Sequence, residues 1–527
     1  MIKRLSSIVR WSVCGLVLTM SAYQLHAQST NAAPATPAPA AAAPAPAAAA
    51  PATPPPPKDP TLDSRVADLE AYVNNGPRGS DATPPTFKTN LTASGPGHNG
   101  WMMTSTALVL MMTLPGLALF YGGLVRRKNV LSVLAQCFGI TGLVTILWYF
   151  VGYSLVFSTN GNAPWSDKGY SPLGDLSFAM FKGVNSTPNG NYGYWVGQNV
   201  YACFQLTFAI ITPALIIGAV AERIKFSSLL IFIGSWMFIV YFPLAHCVWG
   251  ADGIFNGVWN AKAPVQAMDF AGGTVVHMSS GYSALTLALI LGKRVGFGKS
   301  HFAPHSTVLT FIGACLLWVG WYGFNAGSAV AADIVSSNAF TTTTLATAIA
   351  SFVWPTMEFF LKGKATVVGF CSGAVAGLVV ITPACGYVTP AGGMIIGVIA
   401  GTIPFLTTVY MKPLLGYDDA LDVFGVHAIG GTCGALATGF LADASINPNL
   451  TNAGAGGQHM ADLCDWSKGH LLYVQQIYVV IFTIVLSVVG TAIIGYALKF
   501  TMGLRPTVEQ EEAGLDVTDH GEEGYIL

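Results

Sequence analysis

Charge is what this sequence has least of. Only 9% of its 527 residues are Asp, Glu, Lys or Arg, whereas 52% are hydrophobic and the mean hydropathy is +0.54. A soluble domain carries about 25% charged residues, so a soluble enzyme and a disordered chain are both excluded. With 24 basic and 25 acidic residues there is no positive excess to neutralise phosphates, which argues against nucleic acid as a partner. Cysteine pairing is also missing. The nine Cys form no CxxC and no zinc spacing, and most sit in apolar runs as small packing residues. One disulfide on the outer side is the alternative for a pair of them.

What the chain has in abundance is long apolar runs. From Trp101 onward eleven can be counted: 101–122, 130–157, 198–220, 227–250, 270–291, 306–327, 340–361, 366–384, 390–411, 420–442 and 471–502. Each approaches or exceeds the ~20 residues that cross a bilayer as a helix. The fold class is therefore an all-α polytopic membrane protein, with the lipid bilayer as its solvent. Thirteen basic residues lie in loops after odd-numbered runs, including Arg126, Arg127, Lys128, Arg223, Lys293 and Arg294. Four, Lys168, Lys182, Lys262 and Lys468, lie after even-numbered ones. By the positive-inside rule the N-terminus is outside and the C-terminus inside. The 59 glycines predict close helix packing.

The first hundred residues differ in kind. Lys3, Arg4 and Arg10 precede a short apolar run at 11–22, which together read as a signal peptide over 1–27. The cleavage site Leu25-His26-Ala27 is imperfect, and an uncleaved anchor is the alternative. Residues 28–97 then form a periplasmic segment, Ala- and Pro-rich over 32–57, a composition that favours an extended, semi-rigid spacer. Within it, Leu62, Val66, Leu69 and Val73 repeat at spacings of 4, 3 and 4. That is a seam of two heptads. It fits either a frayed amphipathic helix or a short coiled coil that needs copies already held together by the membrane part.

Two runs share an unusual pattern. His277 follows Asp269 by eight residues and His427 follows Asp419 by eight, each His after a Val. Eight helical residues span about 12 Å, close to half of a ~30 Å hydrocarbon core. Both imidazoles are thus expected near the midplane, in the fifth and tenth spans, which run in opposite directions. This is the pattern of a 5+5 inverted repeat plus a final helix, with its site at the repeat interface. Ionisable groups at such depth are costly and mark function more often than packing. A metal or haem pair competes with a transport role. No third ligand falls at a helical offset, so no metal and no cofactor are expected.

Eight runs carry a resemblance. LPGLALFYGGLVRRKNVLS (114–132), GAVAERIKFS (218–227), AHCVWG (245–250), MDFAGGTVVH (268–277), GKRVGFGK (292–299), GWYGFNAGSA (320–329), CSGAVAGLVVITPACGY (371–387) and DVFGVH (422–427) occur in this order. The chain resembles the ammonium transporter family, the Amt/Mep/Rh group, over about residues 100–527. The resemblance implies a transporter domain over 98–503, a homotrimer with one pore in each subunit, and no enzymatic activity or catalytic residues. It implies an ammonium-binding outer vestibule of Phe204, Trp249 and Ser328, with Asp269 as a structural and electrostatic carboxylate. It further implies a gate of stacked Phe208 and Phe324, a central pair of His277 and His427, and pore-lining Tyr121, Gln205 and Trp321. Residue type alone reads Phe208 and Phe324 as ordinary core. Trp249 is typical of the Amt branch. The acidic tail at 504–527 resembles the family's cytoplasmic regulatory segment, which packs across subunit faces and where PII-type signal proteins bind in bacteria; a disordered tail is the alternative.

The residue types suit that chemistry. An aromatic face attracts a small cation by about 0.5–2 kcal/mol, and a Ser hydroxyl can accept a hydrogen bond from ammonium but not from potassium. Carrying an intact cation through an apolar lumen costs tens of kcal/mol in the Born limit, so the expected cargo past the gate is neutral ammonia, with methylammonium as analogue. The expected location is the inner (plasma) membrane. An Rh-like channel for ammonia or carbon dioxide, an ammonium sensor with little flux, and a membrane redox protein remain open on residues alone. His246 is expected to be structural, and Glu222 and Glu358 to be paired or snorkelling.

Overall fold

The computed structural model describes residues 61–73, 96–159, 168–189, 191–192, 196–300, 302–451 and 457–525. The expected signal peptide and Ala/Pro spacer lie outside them. Among the described residues there are helices and isolated bridges but no strand.

Among the described residues, ten helices are long and apolar enough to span a membrane: Gly97–Leu124, Arg127–Phe157, Gln198–Val220, Phe226–Trp249, Gly273–Leu291, Thr307–Ala326, Ile334–Lys362, Pro390–Leu415, Phe424–Leu441 and Leu472–Thr501. With the shorter Val367–Ile381 they make the eleven expected, numbered here as spans 1 to 11, with Val367–Ile381 as span 8. Span 8 has 15 residues, about 22 Å of helix, too short to match a ~30 Å core. Eleven of them are buried, so it lies among other helices and needs no match to lipid. Large apolar side chains such as Phe138, Leu289, Phe352 and Phe500 are exposed on the outer spans, as a hydrocarbon solvent requires.

Polar caps set several boundaries that apolar run length misses. Span 7 begins at Ile334, ahead of the expected 340, because Asp333 and Ser336 form a capping box there. Span 5 begins at Gly273 under the carboxylate of Asp269. Seven spans also carry a π-helical stretch, including Gly273–Met278 in span 5 and Phe424–Ile429 in span 10. Each stretch holds one of the two midplane histidines.

Glycine brings those two spans together. A Cβ on Gly281 would collide with the backbone of Ala428, and one on Gly431 would meet the Gly273 carbonyl oxygen at 2.9 Å and the His277 Cβ at 3.0 Å. Backbone-to-backbone approach of this kind needs small residues. It seats His277 and His427 side against side.

The end of the bundle carrying the basic loops is held by buried ion pairs. Glu222 accepts from the Arg126 backbone N–H (2.7 Å) and pairs with the guanidiniums of Arg126 (2.8 Å) and Arg294 (3.2 Å). Arg294 also bridges to Asp418 at 2.8 Å, and Arg223 donates to the Asp418 carbonyl. Glu222 is thus paired as expected, but not with its neighbour Arg223. Burial alone would raise its pKa, yet the hydrogen bonds and charge of Arg126, with the charge of Arg294, hold its carboxyl below the ordinary range. Glu358 accepts from the Thr366 backbone and hydroxyl at 3.1 and 2.8 Å and caps the turn into span 8.

The tail folds against these same loops of its own chain. Glu511 accepts from the Val295 N–H at 2.7 Å and pairs with Arg505 at 2.6 Å. Asp516 accepts from the Ser132 N–H at 2.8 Å, and Asn129 accepts from the Leu515 N–H at 2.9 Å. Glu511 and Asp516 are buried, so this tail is ordered and the disordered alternative does not hold.

Candidate functional site

Three cavities lie in series through the chain: Phe208 of the first stacks on Phe324 of the second, and the second and third share Phe120, Tyr121, Val375 and His427. The first, about 170 Å³, is an open mouth lined by Trp249, Phe208, Gln205, Tyr201, Asp269 and Ser328. The second, about 10 Å³, is lined by Trp321, Phe324, Val276, His277, His427 and Tyr121. A space of ~10–15 Å³ holds about one water-sized molecule. The third, about 210 Å³, opens between Phe302, Tyr121, Trp354, Asp422 and His427 at the end where the tail docks.

Phe208 and Phe324 separate the mouth from the narrow cavity. Their rings stack at 4.2 Å with 21° between planes, closer than most aromatic pairs. Both are fully buried. Trp249 meets Phe208 edge-on at 5.9 Å. Its indole N–H donates to the carbonyl of Asp269 at 3.0 Å, which fixes the ring at the mouth. Ser328 donates its hydroxyl proton to the Phe324 carbonyl at 2.8 Å, leaving the oxygen free to accept from a ligand. Gln205 donates to the Tyr201 hydroxyl at 3.2 Å.

Two expected mouth residues have other work. Phe204 is fully buried, does not line the mouth cavity, and backs Phe208 with ring centroids 5.0 Å apart. Asp269 faces the cavity, but its carboxylate is taken up by the N–H groups of Gly272, Gly273, Thr274 and Val275 and the Thr274 hydroxyl, at 2.5–3.1 Å. It caps span 5 and holds Trp249 through its carbonyl, so it is not a free ligand. Asp269→Ala should lower stability by about 2 kcal/mol, the upper range for a helix cap, read as a lower melting temperature in detergent; Asp269→Asn, which keeps one acceptor oxygen, should lose less.

Asp419, at the matching position before span 10, is less well served. One oxygen accepts from the Phe424 N–H at 2.7 Å, and the other has no partner among the described residues. Burial pushes its carboxyl up to about 6, against the pull of the Lys412 charge. The spacing from Asp to His is the same in both halves, but the caps are not equivalent.

At the centre the Nδ1 atoms of His277 and His427 lie 3.3 Å apart, with ring centroids at 5.4 Å. Two such nitrogens bond only when one carries the proton. With both rings neutral, one remaining Nε2 is then an acceptor and the other a donor. The Nε2 of His277 has no partner among the described residues. Trp321 stacks on His277 at 5.4 Å and is held by donating to the Thr382 hydroxyl at 2.9 Å. Tyr121 lines both lower cavities and donates to the Leu215 carbonyl at 3.2 Å. His246 lies apart from this line. It is buried against the Val156 carbonyl (2.8 Å) and Asp252 (3.4 Å), the structural place expected for it.

Sequence reasoning missed Phe302 and the Tyr192–Tyr201 stack. Phe302 sits between the guanidiniums of Arg126 and Arg294, at 4.6 and 4.3 Å, and borders the third cavity. An aromatic among the basic residues of this loop was the available signal. Tyr192 and Tyr201 stack at 5.2 Å beside Trp249 in the mouth; their distance in sequence hid the pairing.

Comparison with known proteins agrees with the geometry. A profile of the Ammonium Transporter Family matches residues 100–525. The chain is 43% identical over 429 residues to an ammonium transporter of Bacillus subtilis, covering 81% of this chain and 98% of that one. It is 38% identical over 431 residues to ammonium transporter Amt1 of Archaeoglobus fulgidus, covering 81% and 99%. The crystal structure of Saccharomyces cerevisiae Mep2 superimposes with a TM-score of 0.68 at 32% identity, covering 80% of this chain and 92% of that one. A structure titled as a sensor Amt protein has the same TM-score at 24% identity and shares the fold. With the profile spanning the whole helical bundle and the line of cavities inside it, this multi-pass membrane protein belongs to the ammonium transporter family.

Proposed function

We propose that the chain moves ammonium across the inner membrane. The Trp249 mouth faces outside, and the basic loops and tail face the cytoplasm. The observation that carries this reading is the order of the three cavities: a roomy aromatic mouth, a stacked pair of rings, then a space for one small molecule beside two imidazoles. Ammonium is recruited at Trp249, Phe208 and Ser328 by cation–π attraction and a hydrogen bond to the Ser328 oxygen. It gives up its proton there, because the passage beyond offers a cation nothing that replaces water. Ammonia then passes Phe208 and Phe324 and meets His277 and His427, whose free nitrogens offer one donor and one acceptor. The shed proton returns to the outer water or follows along the two rings.

Three subunits assemble around this unit, each with its own pore. A PII-type protein is the partner we assign to the cytoplasmic face, beside the docked tail. Residues 1–27 serve as signal peptide and 28–97 lie in the periplasm.

The test is current in proteoliposomes on a solid-supported membrane with ammonium, methylammonium and potassium. Currents with the first two and none with the third support the reading; equal responses to all three overturn it. Trp249→Leu should weaken apparent ammonium affinity by about 2- to 30-fold, the equivalent of roughly 0.5–2 kcal/mol of cation–π attraction. An unchanged concentration dependence would remove the aromatic mouth from recruitment.

A further inference from the structure

The transport reading leaves one element unused. Leu62–Val73 is a helix of 12 residues standing ahead of span 1. Its seam is bare: Leu62 is 71% exposed, Val66 44% and Leu69 61%. A helix that presents its apolar residues to water is missing a partner.

The sequence says what kind. With Leu62 and Leu69 at heptad position d and Val66 and Val73 at a, Arg65 falls at g and Glu70 at the following e. In a parallel, in-register pair of identical helices, a g residue faces the e residue five positions on in its neighbour. Arg65 of one copy therefore meets Glu70 of the next, opposite in charge, and the Arg65 stem lies across the apolar seam it flanks. An antiparallel or shifted pairing breaks that match. The charges select a second copy of this chain over an unrelated helix.

Length and tether decide when the seam closes. Twelve helical residues are too few to hold together unaided. Residues 74–95 join the helix to span 1, a tether of 22 residues. Span 1 starts at the mouth end of the bundle, where Asn99 accepts from the Gly197 N–H at 3.2 Å and His98 from the Ala332 N–H at 2.9 Å. In an assembly of copies the tethered helices would meet at an effective concentration of about millimolar, enough for a weak seam to close. Val at a with Leu at d leans to two strands in a free peptide. The third strand is supplied by the membrane assembly, not by the seam.

We infer that residues 62–73 form a parallel, in-register coiled coil between copies of this chain, above the mouth face of the assembled subunits. This rests on the proposal that the membrane part assembles as a trimer.

The experiment uses the full chain in detergent micelles, with the exposed native thiols Cys203 and Cys315 changed to Ser. Single Cys are placed on the seam (Val66→Cys, Leu69→Cys) or on the opposite face (Ser64→Cys, Ala71→Cys). Disulfide cross-linking is timed on non-reducing gels, and subunit number is read by native mass spectrometry. The expected result is cross-linking at least 5-fold faster on the seam than opposite it, slowed by Arg65→Glu and restored when Glu70→Arg is added. Equal rates at the four positions in an intact multimer overturn this inference alone. A monomeric mass overturns the trimer reading and this inference with it.

Discussion

Removing both central imidazoles, His277→Ala with His427→Ala, should lower ammonium current by about 5- to 150-fold relative to potassium current. The narrow cavity holds about one small molecule and is walled by Val276, Trp321 and Phe324 besides the two rings. Ammonia in that space has no water to bond with. The pair supplies its donor and acceptor, and leaving such a group unmet costs about 1–3 kcal/mol, which is the stated range in rate. Two Ala side chains would also widen the passage, admit water, and so ease the penalty that keeps hydrated potassium out. Both changes act in the same direction on the ratio. Solid-supported-membrane currents with the two ions measure it. A double variant that conducts ammonium normally and still excludes potassium would take the pair out of the mechanism.

The largest loss of stability is expected from Glu222→Ala. Glu222 sits between Arg126 and Arg294, and Arg294 is shared with Asp418. Deleting one member of a buried ion network leaves charge without a counterpart and costs about 3–5 kcal/mol. Glu222 also has φ of +70°, in the left-handed region. Glu222→Gly should therefore recover about 1 kcal/mol relative to the Ala variant. Thermal unfolding in detergent reads both. Burial opposes ionisation of Glu222 and Asp418, but their arginine partners outweigh it and lower both pKa values. A depressed carboxylate stabilises the fold fully above its unfolded value, so this contribution is complete above about pH 5. It drains away as pH falls through the lowered folded values.

Much of this was legible in the residues. Run length found all eleven spans, and the eight-residue spacing picked out two histidines whose rings do meet. What escaped reading was whatever depends on a third element. Glu222 and Arg223 look like a pair in sequence, yet adjacent residues do not face each other: Glu222 turns to Arg126 and Arg294, and Arg223 to the carbonyls of Gly292 and Asp418. Asp269 and Asp419 look equivalent, but the first is saturated by four backbone N–H groups and the second by one. Phe204 and Phe208 share a helix face; only the packing of Phe324 decides which of them reaches the lumen. The start of span 7 was hidden because a capping box of Asp and Ser interrupts the apolar pattern that marks a span.

The π-helical stretches at Gly273–Met278 and Phe424–Ile429 carry a last consequence. Each is an ordinary helix with one residue too many. Deleting a single residue there would mend the backbone ladder, and that helix would be better bonded than before. The wider turn absorbs that residue, so the flanking turns would stay in phase, while the bulge that presents the imidazole to the passage would be lost. Single-codon losses at these two places should therefore produce sound, membrane-inserted and silent proteins, a class of variant that stability screens pass and only a growth selection on scarce nitrogen would catch.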